Sequence, residues 1–400
     1  MDARETPGAL RILGGIQIGL IETAAASDTL TAEKNQMAEM RKAHPYFLYD
    51  AVVEQPKWIE HVFKTQRETL KAAAEAAAGQ KRVLFIGIGT SLNAANVAER
   101  WMREHSGGRA EARAEQSFEF NHYPLTMSKD DVAVVITHTG TTSQSIEAMR
   151  AAKKAGALTI AITGQMCGEG IRGADFHVET TDQEVAFAYT KSYTAALAAL
   201  GVWILELLGR QKLLKGGSGE AAELEKVPAL MKEALKLEAQ AKEVAPEVGK
   251  RQRLVFFGAG TAWATACEAA LKFKETSYIS AEGFETEEIL HGPFSEIDGR
   301  GTMVGLLTGD SADDRGRNIL EAAGELKMLR IAVAAPTANR GIAAEHTFVV
   351  PEAKAWLAPF LHLVPLQLLN YHVGIARGVN PDSGRQDQQA HASAHKIYKL

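Results

Sequence analysis

Short runs of consecutive apolar residues recur along the chain and predict the strands of a buried parallel sheet. In the first half they are residues 83–86 (VLFI), 132–136 (VAVVI) and 158–162 (LTIAI), with a weaker run at 176–178. Glycine or polar residues bound each run, and stretches of helical composition lie between the runs. This alternation of strand and helix is typical of an α/β fold.

The same pattern returns in the second half of the chain. Residues 85–90 (FIGIGT) return as residues 256–261 (FFGAGT), 171 positions later. Two further strand patterns return at that offset, 158–162 as 329–333 and 176–178 as 347–349. Matching patterns at one offset predict a tandem duplication of one α/β domain. Each copy is expected to be a parallel sheet flanked by helices, in a three-layer α/β/α arrangement.

A glycine-rich break at residues 216–219 (GGSG) separates the two halves. The predicted organisation has five segments: an N-terminal extension (1–41), a first α/β domain (42–215), a linker helix (216–249), a second α/β domain (250–375) and a C-terminal tail (376–400).

Composition and charge exclude several classes of protein. A hydrophobic share of 46% with 23% charged residues is ordinary for a globular chain, and a net charge of −5 disfavours nucleic-acid binding. No apolar run reaches the roughly 18–20 residues of a membrane-spanning helix, so no membrane partner is expected. The two cysteines, Cys167 and Cys267, form no zinc or disulfide pattern and fit a reducing cytoplasm. We predict no metal and no cofactor, because the acidic residues show no metal-ligand spacing.

A helical segment of the second half places acid–base groups on one face. Glu268, Lys272 and Glu275 are spaced i, i+4 and i+7, so they share a helix face, and His291 follows in a loop. Carboxylates, an amine and an imidazole together are suited to proton transfer. The alternative is a solvated face with a Glu268–Lys272 ion pair.

A hydroxyl-rich loop follows the second predicted strand, between that strand and a helix. Its residues are Thr137, His138, Thr139, Gly140, Thr141, Thr142 and Ser143. Hydroxyl groups, free backbone N–H groups and a helix N-terminus favour an anion, and phosphate is the obvious one. N-capping is the alternative, although one or two hydroxyls would serve a cap.

The equivalent loop of the second half differs in charge. Thr308 is followed by Asp310, Asp313 and Asp314, whose carboxylates would repel a phosphate. Only the first loop is therefore expected to hold phosphate, which leaves the acid–base chemistry to the second domain.

A glycine turn at residues 87–91 (GIGTS) lies after the first predicted strand. It lacks the third glycine of a dinucleotide fingerprint, so a nicotinamide cofactor is disfavoured. Ser91, at the start of the following helix, could instead reach the same phosphate or the sugar.

On these residues, the stretch 42–400 resembles tandem sugar isomerase (SIS) domain proteins. It is most similar to the isomerase half of glutamine–fructose-6-phosphate aminotransferases. The most specific motifs are Glu268-x3-Lys272-x2-Glu275 and residues 288–293 (EILHGP). Further matches are Glu54-Gln55-Pro56, Gly89-Thr90-Ser91, Thr190-Lys191 and residues 364–369 (VPLQLL).

The resemblance implies roles for individual residues. Glu275 stands where the family has the base that moves a proton between C1 and C2, and Lys272 where a lysine lies near the developing enolate. His291 matches a ring-opening histidine from the neighbouring subunit, which implies a homodimer. Lys396 matches a lysine of the C-terminal tail, which is expected to close over the sugar, and Glu268 completes the catalytic set. The expected sugar-phosphate-binding residues are Gly89, Thr90, Ser91, Thr137, His138, Thr139, Gly140, Thr141, Thr142 and Ala188.

The chain also departs from the family pattern. His138 is new in the phosphate loop, and Tyr189 stands where the family has a serine. No counterpart of the glutaminase half is visible, so glutamine is not expected to be the nitrogen donor by itself. The expected function is a sugar-phosphate isomerase or an amino-sugar-6-phosphate deaminase, acting on substrates like fructose-6-phosphate and glucosamine-6-phosphate.

Two other functions stay open. Residues 356–361 (WLAPFL) and 380–382 (NPD) resemble fructosamine-6-phosphate deglycases, although those enzymes lack counterparts of Lys272 and Lys396. SIS domains also serve as non-catalytic sugar-phosphate sensors, but a sensor has no need for Glu275 and His291.

Overall fold

The computed structural model describes residues 40–217 and 219–398, so the extension predicted for residues 1–41 lies almost wholly outside the described residues. The first half consists of strands and helices in alternation. They are α1 (Phe47–Thr65), α2 (Arg67–Ala77), β1 (Arg82–Gly87), α3 (Thr90–Ser106), β2 (Glu111–Gln116), α4 (Ser117–His122), β3 (Asp131–Ile136), α5 (Ser143–Lys154), β4 (Leu158–Thr163), β5 (Phe176–Glu179) and α6 (Lys191–Arg210).

Three helices then lead to a second set of strands. The connecting helices are α7 (Gly219–Glu225), α8 (Val227–Ala234) and α9 (Glu238–Gly249). The second set is β6 (Arg253–Gly258), α10 (Thr261–Thr276), β7 (Ser280–Glu285), β8 (Gly301–Leu307), α11 (Asp313–Glu325), β9 (Leu329–Ala334), β10 (His346–Val349), α12 (Ala358–Leu361), α13 (Leu363–Ala376) and α14 (Gln389–Tyr398).

The two halves contain sheets of the same topology. Each sheet has five parallel strands, in the order β2-β1-β3-β4-β5 in the first half and β7-β6-β8-β9-β10 in the second. The registers also correspond, because Arg82 pairs with Glu111 in one sheet and Arg253 with Ser280 in the other. The predicted fold class, two parallel α/β sheets flanked by helices, is confirmed.

The central strand β8 was not predicted, and neither were the edge strands β2 and β7. Their sequences, EARAEQ and SAEGFE, have no apolar run, because an edge strand is covered less completely than a central one. Gly283 in β7 shows what does determine the strand. A Cβ atom there would lie 2.6 Å from the backbone nitrogen of Cys267, so α10 packs directly on the strand backbone.

One apolar core joins the two halves. It contains Phe85, Trp101 and Trp203 from the first half, and Phe256 and Phe273 from the second, all of them buried. Burial of such aromatic side chains is the main favourable term in packing the halves together.

Helices α3 and α10 cross in opposite directions at the junction of the halves. The start of α3 lies at the end of α10, where Thr90 contacts Lys272. The later turns of α3 lie at the start of α10, where Arg100 donates a hydrogen bond to the Gly260 carbonyl (2.9 Å) and covers the Trp263 ring. Each helix therefore brings its last turn to the carboxyl edge of the other half's sheet.

Helix α6 is long and apolar enough to span a membrane by length and composition. However, 89% of its apolar window is buried inside the protein, as in the core helix of a globular domain. It was the only helix of that kind among the described residues.

Candidate active site

The polar stripe of α10 lies at the contact between the halves. Lys272 is 2% exposed and Glu268 is fully buried, whereas Glu275 keeps 24% of its side chain exposed. The Lys272 ammonium lies 3.3 Å from Glu268 and 2.7 Å from Glu275. The residues that sequence spacing placed on one helix face therefore form a largely buried charge cluster, not a solvated ion pair.

Two side chains of α3 complete this cluster from the other half. Thr90 Oγ1 accepts a hydrogen bond from Lys272 (2.8 Å) and donates one to Glu268 (3.2 Å). Asn93 Nδ2 also donates to Glu268 (2.8 Å). Sequence reasoning missed Asn93, although it lies three residues after Thr90 and so shares its helix face. Its partner is on a helix of the other half, which only the packing reveals.

Burial and charge act in opposite directions on the pKa of Lys272. Burial by itself lowers that pKa, but the carboxylates of Glu268 and Glu275 outweigh it and raise the pKa well above its usual value. Complete burial raises the pKa of Glu268, although Lys272 and Asn93 oppose that shift. Lys272 is therefore a fixed positive charge next to Glu275 at neutral pH.

The hydroxyl-rich loop lies at the carboxyl end of β3, where α5 begins. Thr142 precedes α5 without making a side-chain cap, so N-capping does not account for its hydroxyl. Thr141 donates a hydrogen bond to the Thr139 hydroxyl (2.8 Å). Among the described residues, the backbone N–H groups of Gly140, Thr142 and Ser143 find no hydrogen-bond acceptor. Free donors at a helix N-terminus are suited to an anion.

His138 turns its side chain into the protein. Its Nε2 accepts a hydrogen bond from the Glu184 backbone N–H (3.1 Å), and its ring packs edge-on against Tyr189 (4.8 Å between centroids). Because Nε2 accepts, the neutral ring has its proton on Nδ1, which is buried without a hydrogen-bond partner in the described structure. Burial lowers the pKa of His138. The imidazole therefore joins the loop to residues 184–190, and the two departures from the family pattern pack on each other.

The segment before α6 is held by a carboxylate that sequence reasoning missed. Glu184 accepts hydrogen bonds from the backbone N–H groups of Thr190 (2.9 Å) and Ser192 (2.8 Å), which it caps at the helix start. Ala188, expected to bind substrate, is fully buried and packs in a cluster with Tyr371. The Ala188 side chain thus supports this segment from inside.

Two cavities border the charge cluster. The smaller, of about 20 Å³, is lined by Thr90, Ser91, His138 and Tyr193 among others. It has room for about one water molecule. The larger, of about 360 Å³, opens beside Glu275. A sugar phosphate therefore cannot enter the smaller cavity.

His291 and Lys396 lie apart from this cluster in the single chain. His291 is exposed, with Nε2 3.4 Å from Glu287, and follows β7 at the carboxyl edge of its sheet. Helix α10 starts at that edge and runs back from it, so Glu275 in its last turn is roughly 20 Å away along the helix. Lys396 is exposed on α14 and makes no hydrogen bond or ion pair with other described residues.

Comparisons with known proteins bear on this arrangement. The SIS domain family matches residues 78–205 and 248–377, which confirms the resemblance found from the motifs. The glutamine–fructose-6-phosphate aminotransferase (isomerizing) of Thermococcus kodakarensis is 31% identical over 358 residues, which cover 88% of this chain and 58% of that protein. The enzyme of the same name from Acinetobacter baylyi is 28% identical and is covered to the same 58%. The chain thus spans less than two thirds of the length of these relatives.

Solved structures show the same fold. The C-terminal domain of glucosamine-fructose-6-phosphate aminotransferase from Francisella tularensis superposes with a TM-score of 0.78 at 24% identity, covering 86% of this chain and 99% of that one. Glucosamine-6-phosphate deaminase from Thermotoga maritima superposes with a TM-score of 0.68 at 20% identity, covering 84% and 97%.

Proposed function

The chain belongs to the SIS domain family, and we propose that it is an enzyme that transfers a proton between C1 and C2 of a sugar phosphate. One observation carries the proposal: Glu275 lies 2.7 Å from the buried Lys272 ammonium, which Thr90 holds at the edge of the first sheet. The open loop 137–142 lies at that same edge. Aldose–ketose interconversion requires a base and a cation at one point, next to a grip on the phosphate.

The phosphate binds to the loop at the start of α5. Its oxygens accept hydrogen bonds from the free backbone N–H groups of Gly140, Thr142 and Ser143, and from the neighbouring hydroxyls. This contact is remote from the reacting carbons, so it supplies binding energy that positions C1 and C2 without taking part in the chemistry.

Glu275 is the base in this proposal. It binds Lys272 through Oε2, and Oε1 is assigned to the substrate proton. Removing that proton creates an enolate or enolamine, whose negative charge the Lys272 ammonium stabilises. Glu275 then returns the proton to the neighbouring carbon. With glucosamine-6-phosphate the product is an imine at C2, and water releases ammonia from it to leave fructose-6-phosphate.

We propose that His291 reaches this site from a second copy of the chain. The topology supports it, because His291 and Glu275 lie at opposite ends of α10 within one chain. Mixing Glu275→Gln and His291→Asn subunits gives hybrid dimers with one intact site if the site is shared. We expect the mixture to recover roughly a quarter of the unmodified activity. No recovery, while each variant alone is folded and dimeric, contradicts the shared site.

A product assay tests the proposed function. The protein is incubated with glucosamine-6-phosphate, with fructose-6-phosphate in the presence and absence of ammonia, and with fructoselysine-6-phosphate. We expect conversion of at least one of these, with exchange of the C1 or C2 proton into solvent. Binding without conversion of any of them favours a sugar-phosphate sensor. Cytoplasmic localisation stays a prediction from the sequence.

A fructosamine-6-phosphate deglycase is the second candidate function. The cavity of about 360 Å³ beside Glu275 favours it, because ammonia as leaving group would need far less space. Conversion of fructoselysine-6-phosphate alone in the product assay would select this candidate.

A further inference from the structure

Tyr189 presents a free hydroxyl beside the charge cluster of α10. Tyr189 and Thr90 line the same small cavity, and Thr90 accepts a hydrogen bond from Lys272 (2.8 Å). The Tyr189 hydroxyl makes no hydrogen bond with other described residues and stays accessible, whereas the Tyr193 hydroxyl in the same cavity is enclosed without a partner. An accessible phenol O–H at this position can donate to a ligand and can also accept from it.

The Lys272 ammonium has no N–H group left for a substrate. It carries three, which are taken up by Thr90 (2.8 Å), Glu275 (2.7 Å) and Glu268 (3.3 Å). The Thr90 hydroxyl is committed as well, because it accepts from Lys272 and donates to Glu268 (3.2 Å). Lys272 therefore acts on a developing oxyanion through its charge, and a direct hydrogen bond has to come from another group.

The phenol is held in place and stays protonated at neutral pH. Its ring packs edge-on against His138 (4.8 Å between centroids), and that imidazole accepts from the Glu184 backbone N–H (3.1 Å). Burial raises the pKa of Tyr189, and the Glu184 and Glu275 carboxylates raise it further. The Lys272 ammonium lowers that pKa in part, so the charges on both sides of the proposed reaction reach the phenol.

Packing alone does not account for this hydroxyl. A phenylalanine at position 189 would fill the same space beside His138, because the edge-on contact uses only the ring. A hydroxyl on a largely covered side chain, without a protein partner, costs desolvation free energy that a hydrogen bond to a ligand offsets. The oxygen of Tyr189 is therefore suited to contact with the substrate.

We infer that Tyr189 is a catalytic residue, which moves a proton between the oxygens on C1 and C2 of the sugar phosphate. The inference rests on the proposed function, in which Glu275 moves a proton between the two carbons. One carboxylate serves the carbons and one phenol serves the oxygens, and the Lys272 charge lies next to both.

The steps balance without a co-reactant. Glu275 takes the proton from C2 of the open-chain aldose, and the electron pair of that bond forms a double bond between C1 and C2. The C1 carbonyl oxygen takes the proton of Tyr189 as its π bond opens. The phenolate then takes the proton of the C2 hydroxyl, the C2 carbonyl forms, and C1 takes the proton back from Glu275. The product is the ketose, and both side chains return to their starting state.

Titration calorimetry on the full chain compares two ligands. The hydroxamate of 5-phosphoarabinonic acid has two oxygens side by side in one plane, as in the enediolate, whereas glucitol-6-phosphate carries its phosphate on a chain of tetrahedral carbons. Tyr189→Phe should weaken binding of the hydroxamate about 10- to 100-fold, the loss of one hydrogen bond to a charged oxygen. The affinity for glucitol-6-phosphate should change by less than about twofold, because its phosphate contact is intact.

Rates separate catalysis from packing. With fructose-6-phosphate as substrate, or with glucosamine-6-phosphate if only that is converted, Tyr189→Phe should lower kcat about 10²-fold and leave KM within about threefold. Tyr123→Phe is the matched control, because it removes the oxygen of an exposed phenol, and it should keep both the rate and the affinities.

Two results overturn the inference. One is unchanged affinity for the hydroxamate in Tyr189→Phe, and the other is an equal loss for both ligands, which is the result of a purely structural role. If the unmodified protein binds both ligands and Tyr189→Phe binds them as tightly, only this inference fails. If the unmodified protein binds neither ligand and converts no sugar phosphate, the proposed function fails, and this inference fails with it.

Discussion

The loop after β3 and the loop after β8 occupy equivalent positions in the two halves, but their backbone donors have different partners. In the first loop the N–H groups of Gly140 and Thr142 find no acceptor among the described residues. In the second, the Asp313 carboxylate accepts hydrogen bonds from the N–H groups of Thr308 (3.0 Å) and Gly309 (2.8 Å). Asp313 lies 171 residues after Thr142, so the second loop has a carboxylate where the first has a hydroxyl.

The helices that follow the first strand of each half also differ, because buried charged residues are present in the second half and absent from the equivalent positions of the first. At the offset of 171 residues, Glu268 corresponds to Val97 and Lys272 to Trp101, both of which are buried apolar residues in the first half. The glutamate at position 275 corresponds to Glu104. The first half thus keeps the anion loop and has apolar residues at two of these three positions, whereas the second keeps the buried charges beside a filled loop.

Because α3 and α10 run in opposite directions, the open loop of one half meets the charged helix of the other. The opposite end of the junction combines the filled loop with the last turns of α3, where Trp101 stands in place of Lys272. The comparison shows how a duplicated domain can concentrate its chemistry at one of two equivalent places, and the following predictions test that division.

Replacing the proposed base should have the largest effect. Glu275→Gln should lower the rate of C1–C2 proton exchange by about 10²- to 10⁴-fold, because an amide cannot accept the proton. The affinity for inorganic phosphate should change by less than about twofold, since the loop is intact. Exchange of substrate deuterium with solvent, followed by NMR, measures the rate.

Glu104→Gln is the matched control, because it changes the same residue type at the equivalent position of the other half. It should leave the exchange rate unchanged. Equal losses in the two variants would contradict the assignment of chemistry to one end of the junction.

Removing the buried cation should have the next largest effect. Lys272→Met leaves Glu268 buried without its counter-charge, and should lower the free energy of unfolding by about 3–5 kcal/mol. Urea unfolding measures the loss. The double variant Glu268→Val with Lys272→Met imitates the apolar arrangement of the first half and should regain most of that stability. If the single variant is as stable as the unmodified protein, the charge cluster is not the interaction described.

Filling the first loop should weaken phosphate binding. Thr142→Asp introduces the residue of the second loop, whose carboxylate should repel an anion. We expect the affinity for inorganic phosphate to fall about 10- to 100-fold by calorimetry. Thr142→Ser keeps the hydroxyl and should retain the affinity. Unchanged binding in Thr142→Asp would place the anion elsewhere.

Lowering the pH should have the smallest effect, a loss of stability that acts through the buried His138. The equivalent residue in the second loop is Gly309. Burial lowers the pKa of His138 in the folded protein, below its ordinary value of 6.5. Below pH 6.5 the unfolded chain therefore binds the proton more fully than the folded one, so stability falls as the pH falls, and above 6.5 this contribution is nearly constant. The loss is at most about 1.4 kcal/mol per pH unit.

Urea unfolding at pH 7.5 and pH 5.5 measures how far stability falls in acid. The contribution of His138 is the difference in that fall between the unmodified chain and a variant that lacks this histidine. His138→Gln should be less sensitive to acid than the unmodified chain, whereas His122→Gln, at an exposed position, should be as sensitive. A His138→Gln variant with unchanged acid sensitivity would show that the imidazole titrates freely in the folded state.

Much of the site follows from local spacing. The i, i+4, i+7 pattern placed Glu268, Lys272 and Glu275 on one face, and the structure shows them in contact. Asn93 could not be found in this way, because its partner Glu268 is 175 residues away in sequence. Ala188 was expected at the ligand but is buried, since nothing in a loop sequence tells which way a small apolar side chain points.

By itself the sequence determined the two α/β repeats, most of the central strands, the hydroxyl-rich loop and the charged helix face. These depend on periodicity and on neighbours within a few residues, which a single sequence displays directly. Only the tertiary structure decided that α3 and α10 cross in opposite directions. That crossing buries Lys272 between two carboxylates beside Thr90, and it separates His291 from Glu275 within one chain. Such contacts depend on packing between distant segments, where shape and desolvation select the partner and local pattern has no influence.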